Sequence, residues 1–158
     1  MTDWTRAGLN SNLRIPGVNY GTMDSFVEDI HPNAYMAGLD FKDCFFHWLI
    51  HPSSRRWLGL RHPATQQLGV FLYLPFGLGP APGINDRNVA EITRVVSQSV
   101  TEVNVVAFVD DLRLTNHFDL TRTAEEDKEL LTSKLKEYKA TCQKLGTGLV
   151  GLSIPGPC

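Results

Sequence analysis

VNVVAFVDDLRLT, residues 103–115, decides how this chain is read. An apolar run leads into Asp110 and Asp111 and resumes at Leu112 and Leu114, so two β-rich stretches meet at an acidic doublet. Adjacent carboxylates repel one another and are costly to desolvate, which invites a divalent cation. A solvated hairpin tip explains Asp-Asp as well, because Asp bonds nearby backbone and tolerates unusual dihedrals. A third carboxylate shifts the balance. Asp40 closes another apolar stretch, AYMAGLD, and is followed by FKDCFF. A strand ending in Asp40, laid beside a hairpin carrying Asp110 and Asp111, converges three acids on one spot.

Outward from these residues, the pattern predicts a buried strand over 35–40, where Ala37 and Gly38 allow close backbone approach. Runs at 57–61 and 70–74, separated by the turn-prone HPATQQLG, read as a hairpin. Pro82 suits the first turn of a helix, and Ile84, Val89, Ile92, Val95 and Val96 carry an apolar stripe to about Ser99. Thr123 and Glu126 have capping-box spacing; Leu131, Leu135, Tyr138, Cys142 and Leu145 recur at helical intervals before Gly146, a natural stop. A short helix is expected over 23–30. Strand, helix, hairpin, helix is the order of an α+β fold, a split βαβ antiparallel sheet of ferredoxin-like form with two helices on one face.

At 158 residues the chain is expected to form one domain with a real core. Its net charge of -2 lacks the basic excess of a free-standing nucleic-acid binder. Cys44, Cys142 and Cys158 are few, scattered and odd in number, which fits an intracellular reducing compartment (cytosol, nucleus or organelle) and no disulfide framework. No stretch is apolar enough to span a bilayer, and none matches a P-loop, nucleophile elbow or dinucleotide fingerprint. His47, His51 and His62 lack the spacing and Cys partners of a zinc site, and Arg55, Arg56 and Arg61 read as solvated charge on the hairpin.

The segments MAGLDFKDCFFHWLIHPSSRRWLGLR, FLYLPFGLGPAP and VVAFVDDLRL, in that order, resemble the palm core of a reverse transcriptase of the retroelement type, at the motifs called A, B and C. The nearest flavour is that of retrotransposons carrying a tyrosine recombinase. The resemblance covers most of the chain, from the RIPGVNYGTMDSF stretch to the final GP. It implies a polymerase palm with a partial fingers hairpin, acting on template-primer nucleic acid and deoxynucleoside triphosphates. In nucleotidyl transfer charge grows on the attacking and leaving oxygens, and two cations about 4 Å apart can stabilise both. The resemblance assigns Asp40 and Asp110 as bridging ligands with Asp111 assisting, and Mg²⁺ as the natural ion because it favours oxygen ligands. It sets Phe45 beneath the sugar, against a simple core role, and places Phe76 and Gly77 on the nucleotide and template side. Phe46 is expected in the core, and Asp43 as a helix-start residue outside the metal shell.

The departures carry equal weight. Relatives have a basic fingers segment upstream, a lysine after the last helix, a thumb and often a nuclease domain; no counterpart of these is read here, and Ser153 stands where the lysine is expected. INDRN, 84–88, is polar where relatives are bulkier and apolar, which suggests weakened packing or a surface with another purpose. Two functions follow: a polymerase palm that needs further domains, or a domesticated, inactive relic serving as a structural or interaction subunit of a larger protein assembly.

Overall fold

The computed structural model describes residues 3–15, 17–18, 22–28, 30–32, 34–117, 119–147 and 149–153. In chain order these form α1 (Met23–Val27), β1 (Met36–Phe41), α2 (Pro52–Arg55), β2 (Gly59–Arg61), β3 (Leu68–Val70), α3 (Ala81–Ser97), β4 (Val103–Phe108), β5 (Asp111–Asn116), α4 (Ala124–Lys144) and β6 (Leu149–Ser153). Short 3₁₀ turns lie at Asn10–Asn12 and Cys44–His47. The chain divides into two compact units: Met1–Val18 with Asp43–Asn85, and Asn19–Lys42 with Asp86–Cys158.

The second unit holds a four-stranded sheet of order β4-β5-β1-β6. Every pairing is antiparallel, and β5 lies between β1 and β4, as a split βαβ requires. The fold is therefore α+β and palm-like. The strand pattern explains why one face is core. Ala37 pairs with Leu114 and Leu39 with Leu112, and all four are buried with Phe41. Partners directly opposite point to the same face, so their apolar side chains stack in one layer.

Helix α4 packs on β5, β1 and β6. Thr123 accepts from the Glu126 amide while the Glu126 carboxylate accepts from the Thr123 amide, closing the expected capping box. Leu131, Leu135, Tyr138 and Cys142 are fully buried, each large apolar side chain contributing about 1.5–3 kcal/mol. Burial pushes the Tyr138 hydroxyl up, and the Cys142 thiol up to about 11, so both stay neutral. Leu145, expected on this stripe, is instead 50% exposed. The helix stops at Lys144, Gly146 takes φ +81°, and the Thr147 amide bonds back to Cys142, so the chain turns away before Leu145 can pack.

The first unit is built differently. Trp4, Leu58, Leu74, Leu78 and Ala81 form its small core, with Phe45, Trp48 and Phe71 packed against it. The expected hairpin is present as β2 paired with β3, shifted toward the turn. The second strand ends at Val70, and beyond it Tyr73 bridges Leu49, because the Ile50 amide donates to Leu72 and the Leu74 amide to Trp48. Helix α1 ends at Val27, earlier than expected, and is held at its start by a Thr22–Ser25 capping box. Among the described residues no helix is long and apolar enough to cross a membrane.

Candidate functional site

In the second unit, β4 and β5 are joined at Val109 and Asp110, with Phe108 opposite Asp111. This two-residue bend takes a positive φ at Val109 (61°) and not at Asp110, the pattern of a type II′ turn, where glycine is preferred. A β-branched side chain there is strained by about 1–3 kcal/mol, which the paired strands on either side must hold. The pairing of β4 with β5 sets the doublet at this bend.

Asp40 lies directly opposite Asp111 across the β1–β5 pair. Side chains so related share a face with Cβ atoms about 4.5–5.5 Å apart. The Phe41 amide also donates to the Asp110 carbonyl at 3.2 Å, tying the end of β1 to the bend. Asp40 thus stands beside Asp111, and the end of β1 is bonded to the backbone of the Asp110 bend. On the other side of Asp40 the β1–β6 register slips between Gly38 and Asp40, a bulge next to the carboxylate.

The electrostatics agree with this placement. Burial raises the pKa of Asp40, and the charges of Asp110 and then Asp111 raise it further. Among the described residues no three His, Cys, Asp or Glu side chains stand gathered to hold a metal ion. The donor set, three carboxylates and no sulfur or imidazole, fits a hard cation of the Mg²⁺ type.

Arg113 was not singled out from the sequence. It stands two residues beyond Asp111 on the same face, opposite Gly38, and is buried with its guanidinium 5.1 Å from the Phe26 ring centre. Phe26 also meets Phe108 edge-on, so α1 covers part of this face. Only the alternation of strand faces reveals Arg113 as a neighbour of the acids, and that needs the register.

In the first unit Phe45, Phe76 and Gly77 come together. Phe45 and Phe76 lie 4.6 Å apart between ring centres, and Phe45 is half-buried. Gly77 needs its φ of +79° for the turn that follows Phe76. Phe46, expected in the core, is 42% exposed. A 3₁₀ turn repeats every three residues, so with Cys44 facing inward Phe46 is carried outward, where it meets Phe76 edge-on. Asp43 does open that turn, at φ 54°, yet its side chain makes no cap.

Three further residues hold this region. Asn10 donates to the Gly77 carbonyl and accepts from the Gly79 amide, and Trp4 donates to the Phe76 carbonyl, so the opening segment braces the LPFGLG turn. A side chain at Gly79 would collide with Ile15. Asn85, within the polar INDRN stretch, is fully buried and accepts from Trp48 Nε1 at 2.6 Å and Cys44 Sγ at 2.9 Å. The polarity of Asn85 serves a buried bond, whereas Arg87 in the same stretch is exposed.

Of the other candidates, Arg55 donates to the Ile50 carbonyl, Arg56 lies over Trp57 and Arg61 donates weakly to Gln66. His51 and His62 are exposed. Cys44 and Cys142 are buried thiols that form no disulfide, while Cys158 lies outside the described residues. Ser153 pairs with Gly38 at the end of β6; its side chain lies outside them as well.

No protein-family signature matches the sequence, and no curated protein does. Solved structures do. A foamy viral protease–reverse transcriptase in complex with double-stranded DNA superposes with a TM-score of 0.68 at 13% identity, over 90% of this chain and 22% of that one. Native prototype foamy virus protease–reverse transcriptase gives 0.65 at 20% identity, over 96% of this chain and 17% of the other. The likeness is one of fold, and this chain spans about a fifth of those proteins' length.

Proposed function

We propose that this chain is the palm, with part of the fingers, of an RNA-directed DNA polymerase of the retroelement type, close to the retrotransposons that carry a tyrosine recombinase. The observation that carries this reading is the pairing of Asp40 opposite Asp111 with the Asp110 bend bonded to Phe41. The reverse-transcriptase-like fold supports it. Template-primer and deoxynucleoside triphosphates are the assigned partners.

Asp40 and Asp110 are the ligands for two Mg²⁺ ions, with Asp111 assisting. When bound, such ions stabilise the charge that develops on the attacking and leaving oxygens. The bend at Val109 and the bulge beside Asp40 lie next to these carboxylates, where a fixed backbone would lower the cost of arranging them around the ions. The raised pKa of Asp40 means that its ionised form is the one in need of a positive partner. Phe45 is assigned to the face of the sugar. Phe76 and the Gly77 turn, braced by Asn10 and Trp4, are assigned to the base and template side.

A second reading, a domesticated and inactive subunit of a larger assembly, draws on one observation: the carboxylates are not gathered as a metal-holding trio. One pair of measurements separates the two. Primer extension on an RNA template with Mg²⁺ should exceed that of the Asp110→Asn, Asp111→Asn variant. Millimolar Mg²⁺ should also raise the melting temperature of the native chain and leave the variant's unchanged, since a ligand of the folded state stabilises it. If neither differs between the two proteins, the polymerase reading fails and the subunit reading stands.

A further inference from the structure

The first unit carries a half-open groove of about 620 Å³ that takes no part in the acidic site. Its walls are apolar, with Leu9, Leu13, Trp48, Leu49, Trp57 and Ile84 among them. The size is that of a pocket for a ligand or for a few large side chains. Leu49 and Trp57 are 66% and 64% exposed, an unfavourable state for such large apolar groups unless something covers them.

The polar atoms of the walls are turned to local partners. Asn12 donates to the Gly8 carbonyl, and the His51 ring bonds with Ser53. The backbone of one wall is likewise engaged, with the Ile50 amide on Leu72, the Leu74 amide on Trp48 and the Leu58 amide on Arg55. An occupant therefore finds apolar side chains and few backbone groups to pair with. Its own backbone must be satisfied internally, which is what a helix does and an added strand does not.

Charge narrows the occupant further. Residues 44–85 contain no Asp or Glu, and the whole first unit has five arginines against two aspartates. Two of those arginines touch residues that line the groove. Arg55 is pinned by its Nε to the Ile50 carbonyl, and Arg56 lies over the Trp57 ring at 4.9 Å from its centre. Arg56 is thus placed beside the exposed Trp57, and Arg55 at the Ile50 carbonyl, before a partner arrives.

We propose that this groove docks an amphipathic helix of a partner protein whose large apolar residues, spaced i, i+4 and i+7, fill the cavity and whose flanking Glu or Asp residues meet Arg55 and Arg56. The proposal is independent of catalysis at Asp40, Asp110 and Asp111. Nucleic acid and anionic membranes also attract arginine, but a concave apolar cavity with cations confined to its rim suits side-chain anchors better than a phosphate backbone.

The test uses the 158-residue chain and two synthetic helical peptides with the same Leu, Trp and Leu anchors, one flanked by Glu and the other by Lys. Binding is read by calorimetry at low salt. The Glu-flanked peptide should bind at least about tenfold tighter than the Lys-flanked one. Trp57→Ala should abolish that binding, and Arg55→Glu with Arg56→Glu should reverse the preference. These side chains lie at the surface or rim, and circular dichroism checks that each variant keeps its fold. Equal affinity for both peptides, no binding of either, or an unchanged preference in the charge-reversed variant would overturn the proposal. So would a response of the groove only to single-stranded oligonucleotide or to phosphatidylglycerol vesicles.

Discussion

The two units solve the burial problem in opposite ways. The second unit lays the stripe of α4 on a sheet whose inward residues alternate strictly, and its long helix is capped at one end and stopped by glycine at the other. The first has a core of five buried residues with Trp57, Leu49, Leu68 and Tyr73 left outside. Charge divides the same way. The second unit has fifteen acids against ten Lys and Arg, the first two against five, so the net charge of -2 conceals a basic surface. A carboxylate cluster needs a rigid frame to hold repelling groups together. A surface with uncovered aromatics and arginines is organised for something outside itself.

The strongest way to break this contrast is to truncate one large side chain in each unit. Leu135→Ala should cost about 2–5 kcal/mol in denaturant unfolding, whereas Trp57→Ala should stay within about 0.5 kcal/mol. Equal losses would mean that the groove is part of the stabilising core. Next in size, Asn85→Leu strands the Trp48 and Cys44 donors and should cost about 1–3 kcal/mol, with a changed Trp48 emission. An unaltered midpoint would show that the buried bond is dispensable.

The acidic unit has its own smaller tests. Val109→Gly removes the strain at positive φ and should stabilise by about 1 kcal/mol, while loosening the bend that sets the doublet. A loss of stability would place the value of Val109 in its packing. The smallest effect is expected for Asp40→Asn. The folded-state pKa of Asp40 lies above its unfolded value, so the native chain is penalised once pH rises through that folded value and is not penalised below the ordinary Asp value of about 3.9. The variant should therefore melt slightly higher at neutral pH, with the two melting curves converging as the solution is acidified. Parallel curves at every pH would remove the charge repulsion from the account.

Much of the acidic unit was legible beforehand. Strand β1, the hairpin around Asp110, and helix α4 with its cap follow from periodicity and from residues that act within a turn or two of themselves. Positions in both units escape such reading. Phe46 and Leu145 were assigned to the core by apolar character, and both are turned out by local geometry, a three-residue turn in one case and a helix end in the other. INDRN suggests weakened packing or a surface with another purpose, because a polar Asn85 gives no hint of donors 37 and 41 positions away. Asn10 and Trp4 were passed over for the same reason, since their partners near Gly77 lie about seventy positions on.

Sequence alone determined that three acids stand at the ends of apolar strands and that a capped helix follows them, because hydrophobic period and local hydrogen bonding are properties of neighbours in the chain. Only the tertiary structure decided that Asp40 faces Asp111, that Arg113 shares their side of the sheet, and that Trp57 and Leu49 remain exposed with Arg56 over the Trp57 ring. Register and exposure depend on which distant segment arrives to pair or to pack, and a one-residue slip between β1 and β5 would send Asp40 and Arg113 to opposite faces of the sheet.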